Sequence, residues 1–385
     1  MLINLDWSIM ARLLVLNYEY PPLGGGAGYA TQQCCRQWAC MGNEVHCITA
    51  WFQGLAREES VFSGATVFRV RSRRKKLVQS NIAEMLSYAA HALHAALRLA
   101  RKNRYDMCIA FFTLPSGLVA LALKILYHIP FRVLLRGGDV PGSERALTTL
   151  YRLSMPVIRA IWRRADAVIA NSRGCANIAQ RTADSLQVTV RVVSNGVDTD
   201  FFRPAAALPQ KTPFRFIFAG RLQRQKNVMT LAREFHRLVS EKKIDAVLTI
   251  VGDGPEKNAL VAFIEERNAS NHIRLLPWCF REDLRTHYQA SHCLVNPSFS
   301  EGMPNTVLEA MACGLAVIAS RVAGNEDVIV DGETGLLFDV ARPDELQKCM
   351  QKILTASDTY AMGRCGRAVV VKNFNWRITA EQILQ

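Results

Sequence analysis

Short apolar runs alternate along the chain with longer segments in which apolar residues recur every three or four positions. Such short runs are typical of strands buried in a parallel sheet, and the longer period is typical of helices. In the first half the predicted strands are 12–17, 45–49, 107–111, 131–135 and 167–170, and the predicted helices are 29–41, 81–102, 116–127 and about 144–164. This alternation predicts a parallel α/β fold.

A proline-rich segment, 203–213, interrupts the alternation, and we interpret it as a linker between two domains. Beyond it the predicted strands are 214–219, 246–251, 273–276, 293–297 and 316–319, with helices at 227–240, 255–268, 281–290 and 305–313. The 385 residues suffice for two hydrophobic cores. We therefore predict an N-terminal domain over 1–205, a C-terminal domain over 206–375, and a last helix, 376–385, that crosses back to the N-terminal domain.

The net charge of +14 is concentrated in the first half, where residues 1–200 hold 24 Lys and Arg against 13 Asp and Glu. Such a surface suits anionic lipid, a phosphorylated acceptor or nucleic acid, and it is equally compatible with ordinary solvated surface. The densest run, Arg69–Lys76, precedes helix 81–102, whose apolar stripe includes Ile82, Leu86 and Leu97. We expect that stripe to pack on the core, with contact between the run and an anionic membrane as a hypothesis. Nucleic acid is disfavoured because no aromatic residues lie among these charges.

Cysteine usage and hydropathy bear on where the protein is located. The 11 cysteines form no C-x-x-C pair, which is unlike a disulfide framework or a zinc site. The first ten residues lack the basic-then-apolar order of a signal peptide, and no apolar run reaches the roughly 18–20 residues that span a bilayer. We expect a cytoplasmic protein, with peripheral association with the inner face of the membrane as a hypothesis.

Two cations follow the first strand of the second domain. Gly220 and Arg221 come directly after strand 214–219, and Lys226 follows five residues after Arg221. Because ligands of open parallel sheets bind beyond the carboxyl ends of the strands, the two cations are placed to clamp a diphosphate. The alternative is two surface cations at a helix start. The tight turn Gly252–Pro255 after the next strand is a weaker signal.

The most specific motif lies at 297–314, where a strand ends, a loop containing glycine and proline follows, and a helix begins near Asn305. Free backbone N–H groups at a helix start can bind a phosphate or sugar oxygen. Glu301 lies before the helix and Glu309 about one turn inside it, so the two acids suit different parts of one extended ligand. The alternatives are an N-terminal cap for Glu301 and an exposed helical acid for Glu309.

The segment from Glu301 to Glu309 resembles the E-x7-E signature of retaining glycosyltransferase family 4, which has the GT-B architecture. Gly220-Arg221 with Lys226, the turn at 252–255, and 192–198 resemble the same family in the same order. The resemblance implies an α/β protein with two Rossmann-like domains that face a central cleft. It also implies an enzyme that moves a sugar from a nucleoside diphosphate sugar to a hydroxyl group of a glycan or lipid-linked glycan.

The resemblance further implies individual roles. Arg221 and Lys226 neutralise the donor diphosphate, and Glu301 holds the transferred sugar; these are the three catalytic candidates. Other residues bind the rest of the donor. Glu309 accepts hydrogen bonds from the ribose hydroxyls, the backbone amides of 302–305 lie near the sugar, and the loop at about 277–280 holds the base. These donor-binding candidates are Glu309, Gly302, Met303, Pro304, Asn305, Gly220, Gly252 and Pro277.

Candidates in the first half lie in loops after two predicted strands. The glycine-rich loop 24–28 approaches the diphosphate and acceptor in the family, which assigns Gly25 and Gly26 to the acceptor side. A dinucleotide-binding loop is disfavoured, because the spacing is not G-x-G-x-x-G and strand 45–49 does not end in an acid. After strand 131–135, Asp139 is proposed as a sugar or acceptor contact; the alternative is a loop cap paired with the neighbouring arginine.

The tripeptide 198–200 spells D-x-D, a metal-and-diphosphate signature of another glycosyltransferase architecture, and we interpret it here as a structural turn. We expect no metal and no cofactor, because Arg221 and Lys226 can themselves stabilise a departing diphosphate. Two alternatives to a transferase stay open. One is an epimerase or phosphorylase that acts on sugar phosphates, and the other is a non-catalytic nucleotide-sugar-binding partner of an active transferase.

Overall fold

The structure, a computed structural model, describes residues 10–77, 80–137, 139–141, 148–207, 209–210, 212–356 and 358–385. The chain forms two compact units. The N-terminal unit consists of the residues up to Asn195 together with Trp376–Gln385, and the C-terminal unit is Gly196–Asn375.

The division between the units falls about ten residues before the predicted boundary at 205. The predicted linker packs on the C-terminal unit instead of lying free: the carbonyl of Arg203 accepts a hydrogen bond from Gln289 Nε2 (2.7 Å), and that of Pro209 accepts one from Tyr360 Oη (3.1 Å). Phe202, just before it, is fully buried. The proline-rich segment is therefore held against the surface of the C-terminal unit. Residues 208 and 211 of the predicted linker lie outside the described residues.

The sheet of the N-terminal unit has the strand order β3-β4-β2-β1-β5-β6-β7-β8, in which only β3 is antiparallel to its neighbour. Its strands are β1 Arg12–Leu16, β2 Glu44–Ala50, β3 Glu58–Phe62, β4 Ala65–Val70, β5 Met107–Phe111, β6 Phe131–Leu135, β7 Ala167–Ala170 and β8 Val190–Val192. The β5 and β6 strands are wholly buried because helices cover both faces of the parallel sheet. These helices are α1 Gly26–Cys40, α2 Ile82–Lys102, α3 Ser116–Tyr127, α4 Thr148–Arg164 and α5 Arg173–Ala183.

The C-terminal unit has an all-parallel sheet of order β11-β10-β9-β12-β13-β14. Its strands are β9 Phe214–Ala219, β10 Ala246–Val251, β11 Ile273–Leu276, β12 Cys293–Asn296, β13 Ala316–Ser320 and β14 Leu336–Phe338. Its helices are α6 Val228–Lys242, α7 Lys257–Glu266, α8 Arg281–Gln289, α9 Asn305–Ala312, α10 Ala323–Glu326, α11 Pro343–Thr355 and α12 Thr359–Asn373.

The last helix, α13 (Trp376–Leu384), belongs to the N-terminal unit. It packs against α1, where the buried Trp38 donates from Nε1 to the carbonyl of Ala380 (3.0 Å). The hydroxyl of Thr379 donates to the carbonyl of Ser194 (2.9 Å). Among the described residues, no helix combines the length and apolar character that a bilayer-spanning segment requires.

Each sheet contains a point at which the strand order reverses. In the C-terminal unit, β9 lies between β10 and β12, so the chain builds first toward β11 and then toward β14. In the N-terminal unit the reversal lies between β1 and β5. The loops after these strand pairs diverge to opposite sides of the sheet and leave a crevice at the carboxyl edge, which is where open α/β sheets bind ligands.

Candidate functional site

The loop after β9 carries both predicted clamp cations. Arg221 is exposed, and its guanidinium makes no hydrogen bond or ion pair with any residue that the structure describes. Lys226 ends a short 3-10 turn, Arg224–Lys226, and its side chain is 23% exposed. One cation is thus open to solvent and the other is turned toward protein.

Lys226 forms an ion pair with Glu301, which lies on the loop after β12. The Nζ atom is 2.7 Å from Oε1, and the glutamate side chain is only 6% exposed. The same oxygen lies 2.6 Å from Ser298 Oγ and accepts from Asn296 Nδ2 (3.2 Å). The other oxygen, Oε2, has no hydrogen-bond partner among the described residues, so it is available to a ligand hydroxyl.

Three further contacts hold the β9 and β12 loops together. The backbone N–H of Phe299 donates to the carbonyl of Gln225 (2.8 Å). The side chain of Gln225 donates to the carbonyl of Ser300 (2.9 Å), and that of Asn227 donates to the carbonyl of Pro297 (3.2 Å). Because these two loops flank the point of strand reversal, the charged pair is fixed at the edge of the crevice.

The start of α9 offers fewer backbone donors than its sequence suggests. Pro304 has no N–H, and the N–H of Asn305 already donates to the carbonyl of Met303 (3.0 Å). Within the described part of the chain, no group accepts from the N–H of Gly302, Met303 or Thr306. The backbone donors left for a ligand are therefore these three amides, and the N–H of Asn305, expected as a donor, is already used within the loop.

Glu309 lies one turn inside α9 and is partly buried. Its Oε2 accepts from the hydroxyl of the fully buried Tyr288 at 3.4 Å. Burial raises the pKa of Glu309 to about 7, against smaller lowering effects from the Arg281 charge and the Tyr288 hydrogen bond. Glu309 is therefore only partly ionised at neutral pH, and a ligand that donates hydrogen bonds to the carboxylate stabilises its ionised form.

The loop 277–280 after β11 presents apolar surface at the same edge of the sheet. Pro277 is exposed, and Trp278 and Phe280 are 63% and 68% exposed with their rings 5.0 Å apart in an edge-on arrangement. Exposed aromatic rings of this kind offer faces on which a planar heterocycle can stack. Arg281, the next residue, lies over the ring of Phe202 and so anchors the loop to the unit.

Glycines allow two loops of the edge to approach each other closely. A Cβ on Gly252 would overlap the carbonyl oxygen of Gly220, and a Cβ on Gly254 would overlap that of Leu222. Gly302, by contrast, has open space where its Cβ would lie. The first two glycines are required by packing, whereas the third leaves room in front of the start of α9.

We expect Gly252→Ala to destabilise the C-terminal unit and Gly302→Ala to leave its stability unchanged. The first change forces two backbones apart, whereas the second fills open space and raises the KM for a donor that occupies it. Thermal unfolding of both variants, together with donor KM, checks this. Equal melting temperatures for Gly252→Ala and the parent protein would contradict the packing argument.

Two family models match the chain in succession. The model described as Glycosyltransferase Family 4 matches residues 24–201, and the model described as Glycosyl transferases group 1 matches residues 199–364. The chain belongs to glycosyltransferase family 4. It is a glycosyltransferase of the GT-B type, and its C-terminal match contains the motif 301–309.

Relatives of this glycosyltransferase match its whole length or about half of it. The alpha-maltose-1-phosphate synthase of Mycolicibacterium smegmatis is 27% identical over 404 residues, which cover 97% of this chain and 98% of that protein. The UDP-Gal:alpha-D-GlcNAc-diphosphoundecaprenol alpha-1,3-galactosyltransferase of Escherichia coli is 31% identical over 197 residues, which cover 48% and 50%. The solved structure of sucrose-phosphate synthase from Thermosynechococcus elongatus has a TM-score of 0.82 at 24% identity and covers 97% of this chain and 98% of its own. That likeness shows the fold.

The N-terminal unit of the glycosyltransferase places the glycine-rich loop at its own point of strand reversal. The loop follows β1, and α1 begins at Gly26 with Gly25 before it. A Cβ on Gly25 would meet no atom within 4 Å, so the backbone here is open to a ligand. The first turn of α1 contains no acidic side chain, but the carboxylate of Glu19 lies beside Gly24 just before it.

Asp139 of the glycosyltransferase caps backbone N–H groups in the loops after β5 and β6. Its Oδ1 accepts from the backbone N–H of Arg136 and its Oδ2 from that of Thr113, both at 2.8 Å. Burial raises its pKa, and the guanidinium of Arg136 is directed instead to Asn195 Oδ1 (2.6 Å). Both carboxylate oxygens therefore cap backbone N–H groups, and the contact of Asp139 with a sugar or acceptor stays a prediction. Gly138 and Gly142 of this motif lie outside the described residues.

The charge run of the glycosyltransferase is only partly a solvated surface. Arg69 is 6% exposed and pairs with Glu59 at 2.7 Å, and Arg74 is 9% exposed and donates to backbone carbonyls. Arg71 and Lys76 are exposed. In the D-x-D segment, Asp198 Oδ1 accepts from the N–H of Phe201 (3.0 Å), as expected of a turn.

Sequence reasoning missed the residues that orient the two acids. Asn296 and Ser298 hold Glu301, and Tyr288 holds Glu309. Asn296 is the last residue of β12, so its position at the carboxyl end of a parallel strand was an available signal. Tyr288 gave no such signal, because it lies on α8 and is distant from the motif in sequence.

Proposed function

We propose that the enzyme transfers a glycosyl group from a nucleoside diphosphate sugar to an acceptor hydroxyl, with retention at the anomeric carbon. The observation that carries the proposal is the Lys226–Glu301 pair, 2.7 Å apart, between the two loops that flank the strand reversal. A cation for phosphate and an acid for sugar hydroxyls are thereby held side by side. Family membership favours transfer over an epimerase, a phosphorylase or a non-catalytic partner.

The diphosphate is proposed to lie between Arg221, Lys226 and the start of α9. As the bond to the anomeric carbon breaks, negative charge grows on the diphosphate, and preorganised positive groups stabilise it. The open guanidinium of Arg221 can grip two oxygens, and Lys226 adds a point charge. The free amides of Gly302 and Met303 add donors aligned with the helix dipole.

The other donor groups are proposed to bind on either side of the diphosphate. The free oxygen of Glu301 accepts from hydroxyls of the transferred sugar, and Glu309 accepts from the ribose hydroxyls. The base lies at the loop that starts at Pro277, where the exposed rings of Trp278 and Phe280 provide stacking surface. Gly252 allows its loop to pack closely on the backbone of Gly220, next to Arg221.

The acceptor is proposed to be a glycan or lipid-linked glycan bound by the N-terminal unit, with the backbone of Gly25 and Gly26 at its reacting end. The Escherichia coli relative, whose name contains a UDP-sugar donor and a diphosphoundecaprenol acceptor, supports this class. We also propose that the enzyme needs no divalent metal. The exposed cations Arg71 and Lys76 support peripheral contact with an anionic membrane from the cytoplasmic side.

A donor screen followed by a transfer assay tests the function. Nucleoside diphosphate sugars that bind raise the melting temperature, and the best of them is then supplied with glycan and lipid-linked acceptors in excess chelator. NMR of the product reports the anomeric configuration. We expect transfer with retention in chelator. Inversion, or activity restored only by added metal, would contradict the corresponding part of the proposal.

Nucleotide affinity should depend on pH through Glu309. Since burial raises its pKa to about 7, the carboxylate that accepts from ribose is mostly formed at pH 8 and mostly protonated at pH 6. We expect the nucleoside diphosphate Kd to be about tenfold higher at pH 6 than at pH 8. Calorimetric titration measures it, with Glu309→Gln as the control that shares the titration of the ligand. The same pH dependence in both proteins would show that another group is responsible.

A further inference from the structure

The N-terminal unit contains a large apolar groove that the donor chemistry does not use. It has a volume of about 840 Å³ and lies between α2, α3 and α4. Its walls are mainly hydrocarbon side chains, including Ile82, Met85 and Leu86 of α2 and Leu118 of α3. A space of this size is in the range that accommodates a whole ligand of several hundred daltons.

The groove opens on the functional edge of the N-terminal sheet. Tyr18, Phe112 and Asp139 line it, and they follow β1, β5 and β6 respectively. The first two strands form the point of strand reversal in this unit. A molecule lying in the groove therefore reaches the carboxyl edge, where this sheet is expected to bind its substrate.

The stripe of α2 that the sequence assigns to the core instead faces this groove at its first two turns. Ile82 is 52% exposed and Leu86 is 63% exposed, whereas Tyr88, Ala92 and Leu97 further along the helix pack on the core as expected. Leu118, across the groove, is 41% exposed. Apolar side chains left open around one concavity indicate a binding surface.

A cationic segment follows the groove along one rim. Arg74 donates to the carbonyl of Tyr18 (3.1 Å), which lines the groove, and the N–H of Lys75 donates to Glu84 on α2 (3.3 Å). These contacts fix the segment 71–77 beside the groove. The side chains of its four other cations are exposed, and these cations are Arg71, Arg73, Lys75 and Lys76.

Hydrocarbon walls and a positive rim together match an amphiphile that carries phosphate. We propose that the groove holds the hydrocarbon chain of a lipid-linked acceptor whose phosphate or diphosphate lies at the cations of 71–76. The inference rests on the proposed function in that it names the class of acceptor. A second copy of the chain fits less well, because a two-fold contact at this face would bring the same cations together.

Binding of soluble alkyl phosphates tests the groove directly. Decyl phosphate, butyl phosphate and decanol are titrated at low salt, with decyl phosphate below its critical micelle concentration and decanol below its solubility limit. Because each buried methylene adds about fourfold to affinity, decyl phosphate should bind at least tenfold more tightly than butyl phosphate. It should also bind more tightly than decanol, which lacks the charge.

Matched variants locate the site. Leu118→Glu should lower the affinity for decyl phosphate at least tenfold. The control is Leu126→Glu, at a 60% exposed leucine of the same helix outside the groove, and it should change this affinity less than twofold. Both positions are partly open to solvent, so folding is retained. The double variant Arg71→Glu with Lys76→Glu should lower the affinity for decyl phosphate but not that for decanol. The control is Arg101→Glu with Lys102→Glu, at the far end of α2.

Two results overturn the inference. One is decyl phosphate affinity that is independent of chain length or of Leu118→Glu. The other is binding to vesicles of equimolar phosphatidylglycerol and phosphatidylcholine without binding of monomeric decyl phosphate, which would mark a bilayer contact instead of a chain site. Nucleoside diphosphate binding is measured on the same samples. Its absence would refute the proposed function while the result for the groove still stands.

Discussion

Replacement of Arg221 by alanine is expected to lower kcat/KM by about 10²–10³-fold without changing the melting temperature. The guanidinium is exposed and has no partner among the described residues, so the folded protein does not depend on it. Its proposed partner is the charge that develops on the departing diphosphate, and that interaction is strongest in the transition state. Steady-state kinetics with saturating acceptor, alongside thermal unfolding, separates the two effects.

Arg224 supplies a matched control. It is an exposed cation three residues further along the same loop, in the first position of the 3-10 turn. Arg224→Ala removes the same charge from the same loop, and it should change kcat/KM by less than threefold. Equal losses in the two variants would show that the loop acts only through its general positive field. Near-normal transfer by Arg221→Ala would refute the clamp.

Breaking the Lys226–Glu301 pair is expected to reduce both stability and activity. Lys226→Met leaves a carboxylate that is only 6% exposed without its counter-charge, a loss of about 3 kcal/mol in the free energy of unfolding. Activity should fall by at least 10²-fold, because the same cation is proposed to face the diphosphate. Denaturant unfolding and initial rates measure the two quantities.

The double variant Lys226→Met with Glu301→Gln separates the structural role from the chemical one. Removing both charges eliminates the unpaired carboxylate, so most of the lost stability should return. Activity should stay as low as in either single variant, since both proposed substrate contacts are gone. A double variant that recovers activity together with stability would show that the pair only supports the fold.

Most of the fold could be predicted because its strands are buried on both faces. Strands such as Met107–Phe111 and Cys293–Asn296 read as continuous apolar runs between helices. The β3–β4 hairpin was not predicted, because β3 begins with exposed polar residues, and β14 is only three residues long. A half-exposed edge strand such as β3 has a weak apolar pattern, and the three buried residues of β14 are too few to form a clear one.

The members of the site could be predicted from the motif and the family resemblance, but the contacts between them could not. Glu301 and Glu309 share the motif, but Lys226 lies 75 residues from Glu301, and no spacing in the sequence indicates that the two form a pair. Burial of Arg69 and Arg74 was equally hidden, because a run of charges does not show which side chains find partners. Long-range pairing and burial are properties of the folded chain, and the sequence pattern reports only periodicity and local turns.

The most direct test of the donor site is the difference between diphosphate and monophosphate binding. Each nucleoside diphosphate and its monophosphate are titrated into the parent protein and into Arg221→Ala in the calorimeter. The account predicts that the diphosphate of the preferred base binds at least tenfold more tightly than the monophosphate, and that Arg221→Ala removes most of this difference. Equal affinity for the two nucleotides, or a difference that Arg221→Ala leaves intact, would contradict it.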